Sequence, residues 1–145
     1  MNNALPTAAG TGGELRTLAT AVISLPGNKK IVFGATHLDA QTSEQNKLLQ
    51  IQEIADILNP QTIPVIAAGD FNAIPGSNTI NILDGNFTRN CITGCGFTIP
   101  ATNANKTIDF IADRPAAKFT VTSHTVIDKK YASDHLPVLA VLKIK

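Results

Sequence analysis

The segment Ile63-Pro64-Val65-Ile66-Ala67-Ala68, followed by Gly69-Asp70-Phe71-Asn72, constrains the fold of this chain more than any other stretch. A short, unbroken apolar run suits a strand buried on both faces, which requires layers packed above and below it. A buried strand ends in a carboxylate where that charge meets a partner, a metal or a substrate, because an uncompensated charge beside a core is costly. Chemistry in α/β folds also gathers at the carboxyl ends of strands. Asp70 and Asn72 are therefore the first candidate site residues.

The flanking sequence supplies the layers. Residues 14–25 and 30–38 read as two strands joined by Pro26-Gly27-Asn28, a turn sequence that makes them an antiparallel hairpin. Beyond Asp39 the apolar period lengthens, and Leu48, Ile51, Ile54, Ala55 and Leu58 share a helical face while Gln45, Lys47, Gln50 and Glu53 point elsewhere. Thr42-x-x-Gln45 offers a capping box and Asn59-Pro60 a stop. Ser77 is a candidate cap for a short helix ending at Gly85. Residues 87–106, rich in Gly, Thr and Asn, read as loop. Strands over 107–112, 119–127 and 136–145 close the chain. With 145 residues, 43% of them hydrophobic, the chain is expected to be a single domain over 1–145 of the α/β (α+β) class, a mixed, mainly antiparallel sheet covered by helices. Gly10-Thr11-Gly12-Gly13 lacks the Lys-Ser/Thr of a phosphate loop and reads as a flexible linker.

Composition narrows the function classes. A net charge of +1 gives no general field for gripping a phosphate backbone. No apolar run approaches the roughly 18 to 20 residues of a membrane span, and none is expected. The N-terminus has neither the basic nor the apolar region of a signal peptide. A charged fraction of only 16%, with plentiful Asn, Gln, Thr and Ala, suggests an exported bacterial protein. Cys91 and Cys95, spaced C-x3-C in a loop, leave open a pair of ordinary thiols, a local disulfide, or a metal pair without obvious further ligands.

Polar groups with catalytic potential recur at the ends of the apolar stretches: His37 after Ile31-Val32-Phe33, Asp70 with Asn72, Asp109 within Thr107-Ile108-Asp109-Phe110-Ile111, and Asp134-His135 before the last strand. Singly, each has a structural explanation, as a satisfied histidine, a turn cap, an outward strand residue or ordinary turn chemistry. Together they suit attack of water on a phosphate ester. Asp70 is placed as a base, with Asn72 orienting it or donating to a phosphoryl oxygen. His37 and His135 are candidate donors to the developing charge, and Asp109 paired with His135 would orient that ring and raise its pKa. The remaining carboxylate, Asp134, is a hard ligand suited to Mg²⁺ or Mn²⁺. Ser133-Asp134-His135 is not a serine-hydrolase triad, because three consecutive side chains do not converge, and no Gly-x-Ser-x-Gly elbow is present.

Thr36-His37-Leu38-Asp39, Gly69-Asp70-Phe71-Asn72-Ala73, Thr107-Ile108-Asp109-Phe110-Ile111 and Ser133-Asp134-His135-Leu136-Pro137 occur in an order that resembles the endonuclease/exonuclease/phosphatase superfamily. The resemblance runs over essentially the whole chain. It implies half or most of a four-layer α/β sandwich and Mg²⁺-dependent phosphoester hydrolysis, with His37 and His135 at the phosphate, Asp70 and Asn72 at the nucleophile, Asp109 behind His135, and Asp134 near the metal. It also implies an Asn and a Glu metal ligand in a segment ahead of the matched residues, so that this chain corresponds to the C-terminal portion of the family's domain. Gln52-Glu53 does not substitute for that ligand, since Glu53 lies on the polar side of its helix. The expected activity is hydrolysis of a phosphate ester of nucleic acid, phospholipid or sugar phosphate. The alternative is a catalytically incomplete fragment that folds or oligomerises without activity. A second copy packed sheet against sheet is the expected cover for an otherwise bare apolar face.

Overall fold

Pro26-Gly27-Asn28 turns the chain as expected, with Gly27 and Asn28 at φ of 74° and 59° and Leu25 paired with Lys29 across the turn. The computed structural model describes all residues, Met1–Lys145. A strand β1 (Asn2–Leu5), which the Asn-rich sequence did not announce, pairs antiparallel with β2 (Arg16–Leu25), and β2 pairs antiparallel with β3 (Lys29–His37). Helix α1 (Gln45–Leu58) then carries the chain across to β4 (Val65–Asp70), which runs parallel to β3 and so needs such a crossover. Next come α2 (Asn78–Asn86), the short β5 (Thr88–Arg89), β6 (Asp109–Arg114), β7 (Phe119–Val126) and β8 (Val138–Ile144).

The main sheet has six strands in the order β1-β2-β3-β4-β6-β5, all neighbours antiparallel except β3 and β4. Strands β7 and β8 were expected to continue this sheet. They form a separate two-stranded sheet instead. Pro115 and a 3₁₀ turn over Ala116–Lys118 end β6 and redirect the chain, and Pro lacks the N–H that would extend a ladder. The result is three layers. Helices α1 and α2 cover one face of the six-stranded sheet through seventeen buried residues, among them Leu18, Val32, Ile54, Leu58, Phe71 and Leu83. The pair β7–β8 covers part of the other face through only three, Ile31, Ile66 and Phe119, with half-buried Phe33, Ile111, Leu142 and Ile144 around them. The apolar face expected to be bare thus has a partial cover from its own chain. Val121, Leu139 and Val141 are exposed on β7–β8.

Helix termini differ from the expected signals in one case and match in the other. Ser77 caps α2, its hydroxyl accepting from the Ile80 N–H at 3.3 Å. The capping box from Thr42 does not form. Glu44 is the N-cap of α1 and makes no side-chain cap bond there, while Ser43 Oγ takes the Gln45 N–H. The Glu44 carboxylate reaches α2, accepting from the Thr79 hydroxyl at 2.8 Å, the Thr79 N–H and the Asn78 amide. These bonds, the Thr79 hydroxyl first, lower its pKa, and a negative charge suits a helix N-terminus.

Lys47 and Gln50, read as lying off the apolar face of α1, are nonetheless buried. Polar atoms from the surrounding loops explain it. Gln50 Oε1 accepts from the Asp39 N–H at 2.8 Å, and Lys47 Nζ donates to the Gln41 carbonyl. The stretch Gly10–Gly13 is likewise no free linker. Thr11 and Ala8 bond to Asn46, and a Cβ on Gly13 would lie 2.1 Å from the Asn46 amide, so the loop is fitted onto the start of α1. In the segment 87–106, Cys91 and Cys95 form a disulfide, which decides among the readings left open for them.

Candidate active site

Strands β3, β4 and β6 bring three polar residues to one level, because His37 pairs with Asp70 and Asp70 with Asp109 in register. Alternation puts Phe110 and Ala112 in the helix-side core and leaves Asp109 and Ile111 on the opposite face. Gly69 makes the close approach possible. A Cβ there would sit 1.9 Å from the Thr36 carbonyl oxygen, so no larger residue fits between β3 and the Asp70 backbone.

Beyond β4 the chain turns sharply, with Asn72 at φ 47°. Its N–H donates to Asp70 Oδ1 at 2.8 Å and its side-chain amide donates to the Leu38 carbonyl at 2.9 Å, an Asx-type turn that fixes both residues. His135 arrives from the segment before β8. The Leu136 N–H donates to the Thr98 carbonyl at 2.7 Å and the Ala101 N–H to the Asp134 carbonyl at 2.6 Å, clamping that segment to the loop 98–101. Thr98, fully buried, also accepts from the Ile108 N–H through its hydroxyl. Thr98 thus ties the segment bearing His135 to the residue just ahead of β6.

Five of the six candidate residues come together. His135 Nδ1 lies 2.9 and 3.1 Å from the two Asp109 carboxylate oxygens, and its Nε2 lies 3.8 Å from Asp70 Oδ2. His37 Nε2 approaches the same Asp70 oxygen at 3.4 Å from the more open side. Asp134 stands apart from this group, its carboxylate accepting from Ser133 Oγ at 3.2 Å at the surface. The cluster lies at the end of a cavity of about 630 Å³ between the two sheets, walled by Phe33, Ile66, Ile111 and Leu142.

The electrostatics follow from this packing. Burial pushes the Asp70 carboxyl above its usual value, and Asp109 adds to the effect, against the Asn72 N–H and the two imidazoles that oppose it. Burial works to lower the pKa of His135, but the hydrogen bond and charge of Asp109, with Asp70 and Asp134 behind, raise it on balance. A poised carboxylate thus faces an imidazole biased toward its charged, donating form. Ligand atoms of Asp70, Asp109 and His135 all lie within 4.8 Å of one another. Two hard carboxylates at that spacing suit Mg²⁺ or Mn²⁺.

The profile of the Endonuclease/Exonuclease/phosphatase family matches residues 4–141. No curated protein matches the sequence closely enough to count as a relative. Among solved structures, a conserved protein of unknown function from Enterococcus faecalis superposes with a TM-score of 0.82 at 17% identity, over 100% of this chain and 66% of that one. A mannosyl-6-phosphatase from Bacteroides thetaiotaomicron gives 0.79 at 15% identity, over 99% and 66%. The human Nocturnin catalytic domain, with a bound sulfate anion, gives 0.76 at 20% identity, over 100% and 59%. The chain therefore spans about two thirds or less of the length of these structures. Their likeness establishes the shared α/β fold, and the profile match over nearly the full sequence establishes that this chain belongs to the Endonuclease/Exonuclease/phosphatase family.

Proposed function

We propose that this chain is a metal-dependent phosphoesterase that splits a phosphate ester with an activated water molecule. The observation that carries the reading is the convergence of Asp70, Asp109 and His135 within 4.8 Å, with His37 on the same Asp70 oxygen. Asp70 takes the proton of the attacking water, held in place for this by the Asn72 N–H. His135, oriented and charged by Asp109, donates to a phosphoryl oxygen as negative charge grows there, and His37 does the same from the mouth of the site. An oxygen of Asp109 would hold Mg²⁺ or Mn²⁺, which leaves Asp70 free as the base. The cation supplies positive charge against the phosphoryl oxygens when bound.

Two neighbours support this choice of chemistry: one is described as a sugar-phosphate phosphatase, the other is bound to sulfate, an anion shaped like phosphate. Candidate substrates are phosphate esters of nucleic acid, phospholipid or sugar. The test is hydrolysis of bis-p-nitrophenyl phosphate and of p-nitrophenyl phosphate with and without Mg²⁺. Turnover that needs the metal and disappears in Asp70→Asn supports the proposal. A folded protein with no turnover on either ester would instead support the reading of a chain that keeps the side chains but lacks activity.

A further inference from the structure

A second cavity, of about 290 Å³, opens where the two sheets meet at the end opposite the catalytic cluster. The start of β3 supplies Lys29 and Lys30, the 3₁₀ turn after β6 supplies Lys118, and the segment leaving β8 supplies Lys145. His37 lies at the other end of β3, roughly 25 Å away at about 3.3 Å per residue.

Four of the chain's 12 basic residues thus line one small cavity, and none of its 11 acidic residues does. All four lysines are exposed, and none is engaged in an ion pair. Walls of one sign around a concavity focus a positive field into it, even in a chain whose net charge is only +1. The cavity also offers fixed donors. Lys29 Nζ donates to the Ile144 carbonyl at 2.9 Å, which holds that ammonium in place and fastens β8 to β3. The backbone N–H groups of Thr62 and Ile63, on the wall just ahead of β4, donate to no carbonyl, and Thr62 adds a hydroxyl. Free amide donors beside ammonium groups suit an oxyanion.

Size and charge define that anion. The volume is at the low end of small-molecule pockets, about 300–1,000 Å³, which suits a compact ligand over a flat lipid surface or an extended polymer. A phosphate group carries about −1.5 to −2 charge at pH 7, so four ammonium groups balance two of them. We propose that this cavity binds a diphosphate group, as pyrophosphate or as the head of a diphosphate ester. The bound anion links Lys30 of the six-stranded sheet to Lys118 and Lys145 beside the two-stranded one, and so reinforces an inter-sheet contact that has only three buried apolar residues.

The probe is pyrophosphate, titrated calorimetrically into metal-free protein at constant ionic strength, with methyl diphosphate, inorganic phosphate and sulfate in parallel. Pyrophosphate should bind more tightly than phosphate or sulfate and raise the melting temperature as its concentration rises. The double variant Lys30→Gln/Lys118→Gln, at exposed positions, should weaken binding about tenfold while its circular dichroism stays that of the wild type. His135→Ala should leave binding intact. Pyrophosphate binding more tightly than methyl diphosphate would support the site with the free anion as its ligand, and the reverse order would support it with an ester. Absent pyrophosphate binding, equal affinity for sulfate or phosphate, an unchanged affinity in the double variant, or loss of binding in His135→Ala would overturn it. Attachment to vesicles of anionic lipid without pyrophosphate binding would overturn it as well.

Discussion

The two faces of the six-stranded sheet are built to different specifications. The helix side is a dry core of seventeen buried residues, while the side toward β7–β8 has three and keeps a cavity open among Asp70, Asp109 and His135. Alternation along a strand makes this division possible: Val65 and Ala67 serve the core, Ile66 and Asp70 the cavity. One face holds the molecule together, and the other holds charges at positions that packing alone would not choose.

If that division is real, substitutions on the two faces should separate activity from stability. The largest effect is expected at the site. Asp70→Asn and His135→Ala should each lower phosphoester turnover by on the order of 10² to 10⁴, with thermal unfolding little changed. A variant that lost stability in proportion to activity would break the comparison. On the helix face the signs reverse. Leu18→Ala, at a fully buried position, should cost roughly 2–5 kcal/mol in urea unfolding yet leave kcat at low temperature near wild type.

The cavity face should also show an intrinsic electrostatic penalty, carried by Asp113. Burial pushes this carboxyl up to about 6 from 3.8, although the Asn90 amide donates to it at 2.6 Å. The folded state then binds the proton more tightly than the unfolded one. Asp113 therefore favours folding most below pH 3.8, and that contribution is lost as pH rises through about 6, a change on the order of 3 kcal/mol. Asp113→Asn should remove this fall from a series of urea melts between pH 4 and 7, and an unchanged slope would assign it to other groups. The smallest effect belongs to the helix side again: Ser77→Ala should cost about 1 kcal/mol by removing the cap of α2, measured by the same unfolding experiment.

Much of this was legible in the sequence, for reasons visible in particular residues. The Pro26-Gly27-Asn28 turn, the face of α1 bearing Ile51, Ile54 and Leu58, and the Ser77 cap are local signals, and each formed as read. The meeting of His37, Asp70, Asp109 and His135 was legible through motif order, since spacing alone does not reveal register. What escaped depended on partners distant in sequence. Asn2–Leu5 is a strand only because β2 offers an edge. Lys47 and Gln50 are buried only because the loop from Asp39 to Gln41 supplies their hydrogen bonds. Gly10–Gly13 looked like a linker because nothing nearby reports that Asn46 waits for it. The separation of β7–β8 into a second sheet is a question of which edge a strand meets, and the alternation along Val138–Ile144 suits either sheet equally.

The parallel register of β3 and β4 has a consequence for folding fidelity. His37 stands opposite Asp70 only if Thr36 stands opposite Gly69, and there the Thr36 carbonyl occupies the space of a side chain. Sliding β4 by one residue would turn Asp70 toward the helices, into a region lined by Leu38 and Phe71, and would press Ala68 or Asp70 against that same carbonyl. The misaligned chain is penalised twice, by a carboxylate without water and by a steric collision. The glycine that admits the Asp70 backbone thus also acts as a proofreading contact, allowing this pair of strands to close only in the alignment that brings His37, Asp70 and Asp109 to one level.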